Sequence, residues 1–347
     1  MAKSRKPVYL HVGFNKAATT MLQEQVFSRH PQFAYLGRPY SGHGLLTSDG
    51  ANGDVIVEEL IRAIRMKDSL SYDAQWARQQ IDRVLHALRD SDKSIVLSDG
   101  GLTNARFNDR RMMAERLRNL FGACHIVATI RSQLTCIPSL YFFLVRQDMV
   151  EDEGFDKWLD RQIKARPGQD DEWTVRQFKY AQIFELYREI FPEAEITFIP
   201  YELLVTDKAA FASALARSFG VDVQVTMDTV ATSQARNVVG SAEAAHAIRN
   251  YEKVASLYSK VRKAWLPRFK LSESMPAVWR AKEALRNSLI QRVEKRHRGA
   301  FSLSDSARAT LVDYFSDSNA RLCRLMDCDL SQLGYPVSTQ KDWVAGI

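Results

Sequence analysis

The sequence predicts an α/β protein with three layers, in which helices cover both faces of a central parallel β-sheet, followed by a helical C-terminal region. Two observations predict this fold. Short apolar runs alternate with stretches of helical periodicity between Val8 and Phe219, and each connection is long enough to hold a helical crossover. Parallel strands joined in this way are buried on both faces. With 347 residues, 46% of them hydrophobic, the chain can build a full core as one large domain or two smaller ones.

Each element follows from a local pattern of apolar residues. Strands are predicted at Val8–Val12, Phe33–Leu36, Ser94–Leu97, His125–Ile130 and Glu195–Ile199. Helices are predicted at Thr19–Arg29, Val55–Met66, Tyr72–Asp90, Asp109–Phe121, Gln133–Met149, Phe155–Lys164 and Thr174–Phe191. The residues that follow predicted strand ends include Gly13, Asp99, Arg131 and Pro200. Because ligands of parallel sheets bind at the carboxyl ends of the strands, we expect these residues to meet at one edge.

The turn Gly13–Thr20 is the strongest candidate for a binding site. It connects the first strand to a helix, so unpaired backbone N–H groups and the positive end of the helix dipole point at one place. Lys16 adds a positive charge, and Thr19 and Thr20 add hydroxyl donors. The turn therefore favours phosphate or sulfate. The simpler alternative is an ordinary helix N-terminus capped by threonines.

The spacing within this turn distinguishes between phosphate loops. A nucleotide triphosphatase loop, G-x-x-x-x-G-K-[ST], has a Gly-Lys pair that is absent here, and Lys16 comes only three residues after Gly13. The turn instead resembles the 5′-phosphosulfate loop of the sulfotransferases, which use 3′-phosphoadenosine-5′-phosphosulfate (PAPS) as donor and release the bisphosphate PAP. The resemblance implies a P-loop-like fold and a sulfuryl transfer that needs no metal. It also implies a donor-binding loop made of Asn15, Lys16, Ala17, Ala18, Thr19 and Thr20.

A second pattern follows the strand His125–Ile130. Arg131 ends this strand, and Ser139 follows eight positions later in the next helical stretch. In the sulfotransferase family an arginine and a serine so placed bind the 3′-phosphate of the donor. A guanidinium offers the two parallel donors that suit a phosphate. Taken alone, Arg131 could equally be a surface arginine at the end of a strand.

The resemblance continues downstream. Tyr201 begins a Tyr-Glu-x-Leu segment, and the family tyrosine lies near the adenine of the donor. Arg236 and Asn237 precede a stretch similar to one found in bacterial members, where animal members carry a phosphate clamp. The C-terminal residues 318–319 and 334–336 also match the bacterial pattern. The resemblance therefore covers most of the chain and is weakest at about residues 39–91 and 254–299.

The general base is the weakest part of the resemblance. Family members place a histidine or glutamate just after the third strand, and an ungapped match puts that position at Gly100. We therefore assign the role of general base to Asp99, with His11 and His43 as alternative bases. Lys16 is assigned the second catalytic role, which is to stabilise the oxygen that leaves with PAP. His11 lies within the first strand, which favours a core histidine. A P-loop kinase or NTPase, and a PAP-binding protein that has lost catalysis, remain the alternative functions.

Charge is concentrated in one segment. Residues 260–299 contain 12 Lys and Arg against 3 Glu, a surplus larger than the net charge of +7 for the whole chain. The segment is either a solvated helix face, a groove for an anionic glycan or lipid acceptor, or a peripheral contact with an anionic membrane. No nucleic-acid-binding motif accompanies it.

Location and domain organisation are predicted from the remaining features. The sequence has no transmembrane-length apolar stretch and no signal-peptide core. It contains four cysteines without a C-x-x-C pair, which favours reduced thiols. We therefore expect a cytoplasmic protein that can lie at the inner membrane face. Residues 1–240 are predicted to form the PAPS-binding core, and residues 241–347 a helical extension packed on it.

Overall fold

The computed structural model describes residues 7–37, 53–65, 70–103, 110–147, 149–150, 153–165, 175–233 and 301–338. The chain divides into two compact units. The first contains residues 1–136, 160–235 and 308–347, and the second contains residues 137–159 and 236–307. The predicted division at residue 240 stays a prediction.

A five-stranded sheet forms the centre of the first unit. Its strands are β1 (Val8–His11), β2 (Phe33–Gly37), β3 (Ser94–Ser98), β4 (His125–Ile130) and β5 (Ile196–Pro200). The spatial order is β2-β3-β1-β4-β5, and every neighbouring pair is parallel. In the centre of the sheet His11 is in register with Ser98 of β3 and with Val127 of β4. The carboxyl ends of β3, β1 and β4 therefore lie side by side.

The helices predicted between residues 55 and 164 lie close to their predicted positions, whereas the predicted helix Thr174–Phe191 is divided into a 3₁₀-helix and a shorter α-helix. The described α-helices are α1 (Thr19–Met21), α2 (Gly53–Ile64), α3 (Ala74–Ala87), α4 (Arg110–Phe121), α5 (Gln133–Arg146), α6 (Phe155–Lys164), α7 (Tyr180–Ile190), α8 (Tyr201–Thr206), α9 (Lys208–Phe219), α10 (Val223–Ala231) and α11 (Asp305–Met326). Short 3₁₀-helices lie at Val175–Phe178 and Leu330–Leu333.

The two faces of the sheet are covered by different helices. On one face, Tyr9 and Val127 lie in the same buried cluster as Phe211 and Phe219 of α9. On the other face, Phe198 of β5 packs edge-on against Phe184 of α7, with ring centroids 5.2 Å apart. Side chains of a strand alternate between the two faces. The structure therefore confirms the predicted three-layer α/β/α fold.

The helix after the first strand differs from the prediction. The sequence predicts one α-helix over Thr19–Arg29, but after a single α-turn the chain continues as a π-helix over Leu22–Phe27. The Ser28 N–H donates to the Gln23 carbonyl five residues earlier (3.2 Å). A periodicity near 3.6 does not distinguish these two helix types over so short a segment, and π-turns are common beside functional sites.

The second unit contains an aromatic cluster among its described residues. Tyr141 lies 5.2 Å from Trp158 and 5.6 Å from Phe155 between ring centroids, and Phe301 lies 5.3 Å from Phe155. The Ser304 hydroxyl donates to Asp156 (2.6 Å). Within the described segments, no helix is both long and apolar enough to cross a bilayer.

Candidate active site

The loop between β1 and α1 has an unusual backbone. Lys16 and Ala18 both have left-handed conformations, with φ of 66° and 62°. Ala18 directly precedes the right-handed residues of α1. Successive N–H groups in such an alternation form a concave nest that binds anions. The first N–H groups of α1 add to it, since they have no acceptor within their own helix.

Five successive carbonyls of this loop accept hydrogen bonds from side chains. The donors are Thr103 to Gly13 (2.5 Å), Thr19 to Phe14 (3.0 Å), Cys136 to Asn15 (3.4 Å), Arg131 to Lys16 (3.1 Å) and Thr129 to Ala17 (2.7 Å). In a trans peptide the N–H of the next residue points away from the carbonyl. Because the carbonyls are held by these side chains, the intervening N–H groups are held in the opposite direction, although the Ala17 N–H also donates within the loop to the Phe14 carbonyl (3.4 Å). The loop is thus preorganised to present donors rather than acceptors.

Gly13 allows the loop to close on itself. A Cβ at this position would lie 2.5 Å from the hydroxyl oxygen of Thr19, which is too close for any other residue. A Cβ at Gly100 would lie 3.4 Å from the methyl of the same threonine. Thr19 therefore lies between the loop after β1 and the residues that follow β3.

Arg131 lies directly beside the loop. Its Nη1 donates to the Lys16 carbonyl (3.1 Å) and its Nε donates to Thr135 (3.0 Å). The guanidinium also lies 4.8 Å above the ring of Tyr201, a cation–π contact. The structure thus brings three of the predicted donor-binding residues, Lys16, Arg131 and Tyr201, into one group.

For the other predicted binding residues, the structure gives only their exposure or a single contact. Asn15 donates to Gln177 (3.3 Å), and Thr20 is exposed. Ser139 is half-buried on α5, and its approach to a 3′-phosphate stays a prediction. Arg236 and Asn237 fall outside the described residues.

Asp99, the predicted base, is held tightly. Its side chain is 6% exposed, and its Oδ1 accepts from the Gly101 N–H (2.6 Å) and pairs with Arg65 Nη1 (3.5 Å). A Cβ at Gly101 would lie 2.4 Å from the guanidinium carbon of Arg65, so that group packs on bare glycine backbone. Sequence reasoning missed Arg65, because an arginine at the end of an amphipathic helix gives no signal of its own.

Of the two alternative bases, His11 and His43, the structure describes only His11. His11 is fully buried, and its Nδ1 shares a hydrogen bond with the Ser98 hydroxyl (2.7 Å). Burial lowers the pKa of His11 to about 3, so the ring is neutral near pH 7. This confirms that His11 is a core residue. His43 falls outside the described residues.

Glu202 follows Tyr201 and links two further parts of the site. Its Oε1 accepts from the Ser132 N–H and its Oε2 from the Tyr335 hydroxyl, both at 2.9 Å. Burial raises the pKa of Glu202, although these hydrogen bonds oppose the shift. The Tyr-Glu-x-Leu and Gly-Tyr-Pro segments were visible in the sequence, but their contact was not, since it joins residues 133 positions apart.

Metal ligands do not cluster in the described part of the chain, where no group of three or more His, Cys, Asp or Glu could hold an ion. The four cysteines are free, with Cys124 and Cys136 buried. A metal-independent reaction stays a prediction.

Comparison with solved structures identifies the fold. A sulfotransferase from Alicyclobacillus acidocaldarius superposes with a TM-score of 0.51 and 14% sequence identity, over 95% of this chain and 99% of that chain. The chain has the fold of a sulfotransferase. The sulfotransferase domain from the curacin biosynthetic pathway aligns over 96% of this chain and 100% of its own, with 13% identity and a TM-score of 0.39. No protein-family model matches the sequence, and no curated protein matches it.

Proposed function

We propose that this protein is a PAPS-dependent sulfotransferase, which transfers the sulfuryl group from PAPS to a hydroxyl or amine of an acceptor and releases PAP. The observation that carries the proposal is the contact of Arg131 with the loop, where its Nη1 lies 3.1 Å from the Lys16 carbonyl. Two groups suited to anions thereby meet at adjacent strand ends. A nucleotide with phosphates at both its 5′ and 3′ positions suits such a pair.

The proposed chemistry is an in-line attack of the acceptor on sulfur. Negative charge builds on the oxygen that leaves with PAP, so preorganised donors contribute most of the rate, as in phosphoryl transfer. The loop N–H groups and the Thr20 hydroxyl hold the 5′-phosphosulfate, and the Thr19 hydroxyl joins them by exchanging its bond to the Phe14 carbonyl (3.0 Å) for one to the donor. Lys16 stabilises the leaving oxygen. Arg131 binds the 3′-phosphate, and Tyr201 lies near the adenine.

The remaining predicted residues complete this donor site in our proposal. Ser139 adds a hydroxyl to the 3′-phosphate, and Arg236 and Asn237 cover the bound nucleotide. Their single substitutions to Ala should each weaken PAP binding by about tenfold or less, the usual contribution of one hydrogen bond.

The general base is proposed to be Asp99. Because Gly101 and Arg65 hold its Oδ1, the other carboxylate oxygen would take the acceptor proton. Asp99→Asn should lower kcat by about 100-fold or more while PAP affinity is retained. An Asp99→Asn enzyme with unchanged kcat would contradict this role.

The contacts of the Asp99 carboxylate with Arg65 and Gly101 favour a second candidate function, a protein that binds PAP without turnover. An Asp99 fully committed to Arg65 and Gly101 would serve structure only. That protein would bind PAP but transfer sulfate to no acceptor. A screen with labelled PAPS against glycans, lipids and phenols distinguishes the two candidates and also identifies the acceptor class.

Thermal unfolding tests the choice of nucleotide. A ligand that binds only the folded state raises the melting temperature. We expect PAP to raise it without magnesium, and ATP or GTP with magnesium to have little effect. Stabilisation by ATP and magnesium alone would favour the kinase or NTPase alternative instead.

The acceptor and location are also proposals. An anionic glycan or lipid is the proposed acceptor class, and contact with an anionic membrane is proposed through residues 260–299, which fall outside the described residues. Binding to anionic vesicles, compared with neutral ones, tests the membrane contact. No nucleic-acid partner is proposed.

A further inference from the structure

Three consecutive residues at the start of α5, Arg131 to Gln133, are each held by residues distant in the sequence. Arg131 is held by the phosphate loop and by Tyr180, whose hydroxyl donates to its carbonyl (2.7 Å). Ser132 and Gln133, which follow it, are held by elements distant in sequence. Ser132 and Gln133 therefore connect their neighbour Arg131, a residue of the proposed donor site, to distant parts of the same unit.

Ser132 is held from two sides. Its N–H donates to Glu202 (2.9 Å), and its hydroxyl donates to the Gly334 carbonyl (2.7 Å). Tyr335, the next residue, closes the circle by donating to the other oxygen of Glu202 (2.9 Å). Burial raises the pKa of the Tyr335 hydroxyl well above its ordinary value, so it remains a donor at any neutral pH.

Gln133 is held by the same C-terminal region. Its side-chain amide forms a reciprocal pair with the amide of Asn319 on α11, with distances of 2.9 and 3.0 Å. Asn319 also donates to the Pro336 carbonyl (2.8 Å). Both amide side chains are fully buried. Buried polar groups are stabilising only when each is satisfied, so this network fixes one arrangement rather than several.

Two consecutive residues of α8, Tyr201 and Glu202, contact Arg131 and Ser132 respectively. Tyr201 packs under the guanidinium of Arg131, and Glu202 binds the N–H of Ser132. A shift of Glu202 would therefore move the ring on which the guanidinium rests. Tyr335 is the side chain that holds Glu202 from the C-terminal segment.

From this arrangement we propose that Tyr335 is a positioning residue of the donor site, which acts through Glu202 and Ser132 to set the place of Arg131. The C-terminal segment 319–336 is then part of the machinery that recognises the 3′-phosphate, rather than a cap that only covers the core. The inference rests on the proposed function, because it takes Arg131 as the 3′-phosphate ligand.

The decisive readout is discrimination between PAP and AMP, which lacks the 3′-phosphate. Tyr335→Phe keeps the ring but leaves Glu202 Oε2 without its donor. Loss of a hydrogen bond to a charged group changes an equilibrium by about tenfold. We expect calorimetry to give about fivefold to tenfold weaker PAP binding for this variant, with AMP binding nearly unchanged.

Two further variants separate positioning from general stability. Ser132→Ala removes the hydrogen bond to the Gly334 carbonyl. It should lower the ratio of PAP affinity to AMP affinity by a smaller factor than Tyr335→Phe does. Thr226→Val removes a buried hydroxyl that bonds His30 (3.0 Å) on the α10 side of the sheet, and it should lower the melting temperature but leave the ratio unchanged.

Each outcome is informative. A ratio that falls in both Tyr335→Phe and Ser132→Ala supports the proposal. A ratio that stays constant, or equal losses for PAP and AMP, overturns it and leaves Tyr335 with a structural role. If Tyr335→Phe does not fold, Ser132→Ala decides alone. Wild-type protein that fails to bind PAP would instead overturn the proposed function.

Discussion

The ends of β1 and β3 lie side by side, yet they are built very differently. The loop after β1 has five successive carbonyls that accept hydrogen bonds from side chains of several elements. The N–H groups between these carbonyls are therefore held on the opposite side of the backbone. After β3, Asp99 binds mainly its own neighbour Gly101 and one arginine. The proposed donor half of the site is thus specified by many independent contacts and the proposed acceptor half by few. Four substitutions test this difference, in order of decreasing effect.

The largest effect is expected at Lys16. Lys16→Ala should lower kcat by about 100- to 1,000-fold, the range for loss of one donor to a developing oxyanion. Alanine has the same backbone preference in the left-handed region, so the loop should keep its shape and PAP affinity should fall less than kcat. Kinetics with saturating PAPS and calorimetry with PAP measure the two effects. The exposed Lys208 provides a control, since Lys208→Ala should change neither. An unchanged kcat in Lys16→Ala would contradict the assignment.

Arg131 should have the next largest effect, on binding. Arg131→Lys keeps the charge but cannot both reach the loop and stack on Tyr201. We expect PAP to bind about 10- to 100-fold more weakly, and AMP to bind almost as before. Equal losses for the two nucleotides would place Arg131 away from the 3′-phosphate.

A substitution at Gly100 tests the proposed acceptor half of the site, through its effect on kcat. A Cβ there makes an ordinary contact of 3.4 Å with Thr19, so Gly100→Glu should fit and direct a carboxylate toward the loop. If the missing glutamate limits turnover, this variant should raise kcat by about tenfold and restore activity to Asp99→Asn. Gly100→Gln is the matched control, with no gain expected. Equal activity of the Glu and Gln variants would show that Gly100 does not mark a missing base.

The smallest effect concerns stability at Ala18. Its φ of 62° suits glycine better than alanine, so Ala18→Gly should raise the free energy of unfolding by about 0.5–1 kcal/mol. The buried Ala17, which lacks a positive φ, is the control. Ala17→Gly should lower the same quantity by about 1 kcal/mol. Denaturant titration measures both, and the same sign for both variants would contradict the role of the left-handed conformation.

The sequence predicted the sheet and the loop because both are encoded locally. Apolar runs located all five strands to within a residue or two, and the spacing of Lys16 and Thr19 predicts an anion site in the loop after β1. The π-helix was missed because periodicity does not resolve it. Arg65 was missed because it stands in no local pattern that marks a site. The segment that contains Tyr335 was recognised, but its contact with Glu202 was missed because it joins residues 133 positions apart.

The central claim is that the β1 loop and Arg131 bind one nucleotide with phosphates at both ends. Calorimetric titration with PAP in magnesium-free buffer tests it most directly. We predict one PAP site per chain, clearly weaker binding of AMP, and a ratio of PAP affinity to AMP affinity that falls about 10- to 100-fold in Arg131→Lys. No detectable binding of PAP, or identical affinities for PAP and AMP in the wild-type protein, would contradict it.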